Sequence, residues 1–292
     1  STERLRALMD TKPGVLDPET SVWEAKRAAA PASEKGSVVF ENVWFAYQGD
    51  NWILKDVSFR VEPNGKVAFV GATGAGKTTI IKLLTRLYDV KRGRILVDGV
   101  DVREMPQHVL RRRIATVLQD VMLFSGSVAD NIDLGRPDVD LDQVQEAAVA
   151  VEAAGFIERL PRGYQTEVRE RGSNFSTGQR QLLSFSRALA HGSRILILDE
   201  ATSSVDSETE RLIQRGIHTL MQDRTAIAIA HRLSTIRDVD TIYVLSSGEL
   251  VESGTHDELL TLRGVYSELH RLQSEGIEPT GSIPDLPAPA NA

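Results

Sequence analysis

Apolar residues in this chain fall into two kinds of run. From Ser37 to Phe45, and again from Val57 to Val61, apolar and polar positions alternate, the period of a strand with one buried and one wet face. From Val67 to Val70, Ile195 to Leu198, Ala226 to Ala230 and Thr241 to Leu245 the runs are short and continuous. That pattern predicts central strands of a sheet covered on both sides. From about Asn131 to Ala190 a helical period takes over, as at Val144, Ala147, Ala148 and Val151, and predicts an inserted helical subdomain within about 120–190. Residues 1–36 open on a short amphipathic stretch (Leu5, Leu8, Met9) and continue through Pro- and Ala-containing sequence to Gly36, which reads as a linker. A folded domain is expected over 37–274. Residues 275–292 carry four prolines and no periodicity, as expected of a disordered tail.

One turn between these elements carries chemistry. Gly71, Ala72, Thr73, Gly74, Ala75, Gly76, Lys77, Thr78 and Thr79 follow the apolar run ending at Val70 and precede a helical stretch from Ile80 to Leu84. In a G-x-x-x-x-G-K-[ST] turn the glycines let backbone N–H groups crowd around phosphates. The lysine reaches the β- and γ-phosphates, and the Thr78 hydroxyl can ligand Mg²⁺. A second strand, Arg194 to Leu198, ends in Asp199 and Glu200. Ligands of an α/β sheet sit beyond the carboxyl ends of its strands, so both acids can face the phosphates. Asp199 suits Mg²⁺, directly or through water, and Glu200 suits the general base that polarises an attacking water. The pattern predicts a P-loop nucleoside triphosphatase of α/β class that takes Mg²⁺ with its nucleotide.

Composition narrows the setting. With 41% hydrophobic and 26% charged residues over 292, the chain has the make-up of an ordinary globular domain. Its longest apolar runs fall far short of the roughly 18–20 residues that span a bilayer. A net charge of −7 argues against a broad nucleic-acid surface, and no nucleic-acid partner is expected. Arg111, Arg112 and Arg113 read as a solvated helix face. The absence of cysteine removes disulfides and thiolate metal sites from consideration.

The segment Asn174-Phe175-Ser176-Thr177-Gly178-Gln179-Arg180-Gln181 resembles the signature of ATP-binding cassette (ABC) proteins, and the resemblance runs in family order through residues 37–272. It implies an antiparallel β subdomain beside the RecA-like core and gives further residues a role. Tyr47 resembles the aromatic residue that stacks on adenine. Gln119 resembles the glutamine that touches Mg²⁺ and senses the transport domain. Ser203, Ser204, Val205 and Asp206 resemble the loop that crosses the dimer interface, and His231 the histidine on the γ-phosphate. Phe175, Ser176, Thr177, Gly178 and Gln179 would act in trans, on ATP held by a second nucleotide-binding domain. A serine hydroxyl and a glycine N–H at a helix start suit that anion.

Thr166 to Gly172 resembles the exporter segment whose Glu170 and Arg171 contact the membrane domain, although Arg169 stands where glycine is usual and puts the local backbone in question. The resemblance therefore implies an exporter's ATPase domain, working on the cytoplasmic face of the inner membrane, with its transmembrane domain preceding residue 1 in the same polypeptide. Thr177, where glycine is usual, is familiar in exporters that pair two different halves; a heterodimer and a homodimer both stay open. An importer's ATPase subunit is the first alternative, disfavoured by Thr166 to Gly172 and by the linker. A soluble cassette protein without a transport role is the second, disfavoured by the single cassette and the lack of heptads.

Overall fold

The computed structural model describes residues 6, 14–31, 35–199, 207–229 and 239–275. Two sheets carry the architecture. The first joins β1 (Val38–Phe45), β2 (Leu54–Val61), β4 (Arg92–Val97) and the short β5 (Val100–Asp101) in the order β2-β1-β4-β5, all antiparallel. The second has the order β12-β11-β3-β10-β9-β6, built from β3 (Lys66–Val70), β6 (Ile114–Val117), β9 (Ile195–Asp199), β10 (Thr225–Ile229), β11 (Thr241–Ser246) and β12 (Glu249–Gly254). Its neighbours run parallel except at the β11–β12 edge. The four continuous apolar runs are its inner strands, as their pattern predicts. The two edge strands escape that pattern: β6 is only four residues long, and β12 alternates between half-buried and exposed positions.

Because strand side chains alternate, each inner strand feeds two cores. Val67, Phe69, Ile195, Ile197, Ile227 and Ile229 face a cluster shared with the antiparallel sheet. There Phe59 packs on Phe40 at 4.4 Å and on Phe69 at 4.9 Å between ring centres. Ala68, Val70, Leu196, Leu198, Ala226 and Ala228 face the other cluster, which continues without a break into the helices between β6 and β9. Those helices are α4 (Val128–Asp133), α5 (Leu141–Ala150), α6 (Ala154–Ile157) and α7 (Thr177–Ala190); they follow α1 (Thr20–Ala29), α2 (Lys77–Leu84) and α3 (Gln107–Arg113) and precede α8 (Ser207–Met221). A two-residue ladder of β7 (Gly126–Ser127) with β8 (Glu167–Val168) closes the base of this helical layer.

Part of the stretch expected to be a linker is docked on the domain. Trp23, on α1, is 8% exposed and sits in the antiparallel-sheet core, with the Arg113 guanidinium 5.4 Å from its ring centre. The Leu16 carbonyl accepts from buried Arg86 at 2.8 Å, and the Asp17 carboxylate accepts from the first amide of α3 at 2.8 Å. Lys26 pairs with Glu104. This changes the reading of the arginine run too. Arg111 and Arg112 face solvent, but Arg113 is half-buried, bonded to Asp98 at 2.5 Å.

Candidate nucleotide site

The phosphate loop leaves the carboxyl end of β3 and turns into α2 at Lys77. Two glycines make the turn possible. A Cβ on Gly71 would lie 2.3 Å from the Leu245 carbonyl oxygen, and Gly76 holds φ 109°, ψ 0° with Leu54 Cδ2 2.7 Å from where its Cβ would stand. At Gly71 any side chain would collide with the backbone of Leu245, and at Gly76 the left-handed φ strains any residue but glycine. Ala75 N–H is taken by the Ala72 carbonyl at 3.1 Å. The amides of Lys77 and Thr78 open α2, where a helix supplies no acceptor of its own, and they join the positive end of the helix dipole. Ala72, Ala75, Gly76 and Thr79 are buried, whereas Thr73, Gly74 and Thr78 face outward.

Lys77 is 7% exposed and donates to the carbonyls of Gly71 (2.6 Å) and Ala72 (3.0 Å). Burial holds its pKa below the usual lysine value, against the opposing influence of the Asp199 carboxylate. Asp199 ends β9 level with Ile229 of β10, which is itself level with Phe69 of β3. Acid and lysine therefore both stand where the parallel strands end, the place α/β sheets reserve for ligands. This set of donors fits a polyphosphate, and Asp199 with the Thr78 hydroxyl offers the hard oxygens a divalent cation takes.

Tyr47 belongs to the same group. Its hydroxyl lies 3.2 Å from Oγ1 of Thr79, while 41% of the residue stays exposed. Gln119 follows the end of β6, whose Val117 is level with Leu198, the residue before Asp199; with Asp120, Val121, Arg171, Thr177, Arg180 and Gln181 it also lines a polar cleft of about 390 Å³. Within one chain, then, the residues singled out in the sequence gather at the strand ends around the loop Gly71–Thr79 and at the start of α7, with Gln119 after β6 bordering the second group. Glu200, Ser203, Ser204, Val205, Asp206 and His231 lie outside the described residues.

Ser176 caps α7. Its Oγ accepts from Gln179 N–H at 3.2 Å, and the Gln179 side chain accepts from Ser176 N–H at 3.0 Å, a reciprocal box that fixes the helix start. Phe175 is buried against Phe156. Thr177 is exposed, with its Oγ1 3.2 Å from Arg180. Asn174 ties this start to the preceding segment, accepting from Arg169 N–H and donating to the Glu167 carbonyl, both at 3.0 Å. Arg169 itself holds φ −73°, ψ 170°, an extended conformation open to any residue, so glycine is not needed there. The left-handed turn falls two residues later, at Arg171 (φ 55°) and Gly172 (φ 68°), and leaves Glu170 and Arg171 exposed.

Sequence reasoning passed over Arg187. Its half-buried guanidinium donates to the carbonyls of Asn131 (2.8 Å) and Met122 (3.2 Å), binding the stretch after Gln119 to α7. His191 lies 3.3 Å from the Asp133 carbonyl oxygen and His256 2.6 Å from the Tyr266 hydroxyl.

The profile of the ABC transporter family matches residues 54–203, half of the chain, from β2 through the phosphate loop and signature to past Asp199. The chain belongs to the ABC transporter family. A fatty acid ABC transporter ATP-binding/permease protein of Mycobacterium bovis is 50% identical over 236 residues, 81% of this chain and 37% of that protein. An ATP-dependent lipid A-core flippase of Methylobacillus flagellatus is 47% identical over 241 residues, 82% of this chain and 41% of the flippase. Among solved structures, a bacterial Atm1-family ABC exporter with ATP bound superposes with a TM-score of 0.82 at 42% identity, covering 94% of this chain and 46% of the exporter. This ABC chain thus spans about two fifths of the length of the curated relatives it matches. It is an ATP-binding domain of the ABC ATPase class, with the P-loop α/β core and antiparallel sheet expected of it. Among the described residues no helix is long and apolar enough to cross a membrane.

Proposed function

We propose that this domain powers export across a membrane, as the ATP-hydrolysing part of a longer polypeptide whose membrane segment precedes it. The observation that carries the reading is the buried Lys77 ammonium, bonded to the Gly71 and Ala72 carbonyls in a loop at the strand ends whose turn into α2 leaves the first amides of that helix to an anion. The phosphate loop, Gly71 through Thr79, would bind the triphosphate and Tyr47 would stack on the base. Thr78, Gln119 and Asp199 would hold Mg²⁺, which when bound neutralises phosphate charge. Glu200 would take the proton of the attacking water, and His231 would orient toward the γ-phosphate.

Two such domains would share each ATP. Ser176, Thr177 and Gly178 stand at the start of a 14-residue helix with Ser176 and Thr177 exposed, a place from which they can reach a partner's γ-phosphate. Ser203 to Asp206 would cross the same interface, and Glu170 and Arg171 would meet the membrane domain on the cytoplasmic face. Thr177 in place of the usual glycine favours a partner that differs from this chain. An importer subunit fits less well, since relatives of 47–50% identity are named as a flippase and as an ATP-binding/permease protein in one polypeptide.

The coding sequence upstream of Ser1 tests the export reading: about six hydrophobic segments in frame are expected, and a separate soluble open reading frame would refute it. For the shared site, hydrolysis per chain should rise with protein concentration, because two separate chains must meet to complete it. A rate independent of concentration in a proven monomer would refute sharing.

A further inference from the structure

The Tyr47 ring is held from several sides. Its hydroxyl reaches Thr79 on α2, and Phe45 and Tyr88 meet it nearly at right angles with ring centres 4.9 and 5.2 Å away. The Lys82 ammonium stands over the ring, 5.4 Å from its centre. Phe45 is a core residue and its presence needs no other reason. Tyr88 and Lys82 are different. Tyr88 is 43% exposed and follows α2 at the surface, where an aromatic ring gains little from burial. The Lys82 ammonium has no carboxylate or hydrogen-bond partner among the described residues, so the face of Tyr47 is its one specific contact.

We infer that Lys82 and Tyr88 are positioning residues for the nucleoside base, holding Tyr47 as a preformed stacking platform with the ammonium behind the ring and the base on the opposite face. The inference rests on the reading of Tyr47 as the base-stacking residue. An unsupported tyrosine loses rotamer freedom when a base stacks on it, whereas a ring already fixed does not. A cation on one face also draws π-electron density toward itself, which makes the other face a better partner for an electron-rich purine. Both residues act through α2 and its continuation, so base platform and phosphate loop move as one unit.

The test compares ATP with inorganic tripolyphosphate, which carries the phosphates and no base, in equilibrium binding to the full 292-residue chain at fixed Mg²⁺. Lys82→Met should weaken ATP by about two- to fivefold, the scale of an exposed cation–π contact. Tyr88→Leu should weaken it about two- to tenfold. Tripolyphosphate affinity should not move in either. Lys82→Arg and Tyr88→Phe should restore ATP binding, and in a Tyr47→Ala background Lys82→Met should have no further effect. Unchanged ATP affinity in both variants would overturn the inference, as would an equal loss for ATP and tripolyphosphate. A gain of ATP affinity in Lys82→Met would also overturn it, since the lysine would then be occupying the base's own face. If the unaltered chain binds the two ligands equally, it is the base-stacking role of Tyr47 itself that fails.

Discussion

The ammonium of Lys77 and the carboxylate of Asp199 act on each other across the ends of two parallel strands separated by β10. Burial pulls the lysine pKa down from 10.5, and Asp199 pulls it part of the way back. A lysine depressed in the folded state gives up its proton there first. Between its folded value and 10.5 the unfolded chain then binds more protons, and stability rises with pH. Phosphate binding has the opposite sign because it needs the ammonium. Without metal, ATP affinity should fall as pH rises through the folded pKa, approaching about tenfold per pH unit. In Asp199→Asn the fall should begin at lower pH. Superimposable affinity curves for the two proteins between about pH 7 and about pH 10 would take Asp199 out of the lysine's field.

Gly178 sets the spacing between the signature helix and α8. A Cβ there would come 2.0 Å from Cγ2 of Thr209, closer than any real contact. Gly178→Ala should therefore destabilise the domain by about 1–3 kcal/mol, the cost of overpacking. Thermal unfolding would register this as a loss of about 2–4 °C per kcal/mol in a chain of this size. Thr209→Ser removes the offending methyl group and keeps the hydroxyl, so the double variant should recover most of the loss. Failure of Thr209→Ser to rescue would place the cost of Gly178→Ala elsewhere.

The parts of this fold that were legible in the sequence are those set by local pattern. Ile195 to Leu198 and Ala226 to Ile229 read as two-sided strands because every position is apolar, and the turn from Gly71 into a helix at Lys77 was visible because its residues are contiguous. The docked helix Thr20–Ala29 was not legible. It buries one large apolar residue, Trp23, and the ties of Leu16 and Asp17 just before it join residues 70 and 90 positions apart. No local period records a carbonyl offered to Arg86 or a carboxylate offered to the first amide of α3. Strand β4 was missed for a related reason: Arg92-Gly93-Arg94 hides its first half, and only Ile95 and Val97 are buried.

That docking has a measurable weight. Trp23→Ala removes a buried indole and its contact with Arg113, and large-to-Ala changes of this kind cost about 3–5 kcal/mol in a core. The lower end is expected, since α1 lies at the rim of the core and can peel away. Limited proteolysis should then cut within 14–36 well before the rest of the domain. An unaltered melting temperature together with an unaltered cleavage pattern would show that the segment is a passive linker.

Glu200→Gln keeps the shape of the side chain and removes its basicity. Loss of a positioned general base costs about 10²- to 10⁴-fold in rate, so steady-state hydrolysis should nearly vanish while ATP affinity holds. Single-turnover hydrolysis and nucleotide binding should be measured on the same preparation. Retention of more than about a tenth of the rate would remove Glu200 as the base.

The shared-site reading makes a stronger demand, because two inactive chains should repair each other. Ser176→Arg blocks the signature by bulk but keeps Lys77 and Glu200, whereas Glu200→Gln keeps the signature and loses the base. In a symmetric pair of identical chains each variant alone spoils both sites. In a mixed pair, one site combines the intact phosphate loop and Glu200 of the first chain with the intact signature of the second, and the other site combines both lesions. Random pairing puts half of the dimers in the mixed class with one of two sites working, so an equal mixture should recover about a quarter of the unaltered rate if sites turn over independently. No recovery, with mixed dimers demonstrated by native mass spectrometry, would show either that each chain completes its own site or that this chain's natural partner is a different one. Repeating the mixture with that partner separates the two: Ser176→Arg on this chain should then impair only the site built on the partner's phosphate loop. Equal impairment of the site built on Lys77 would reject action in trans.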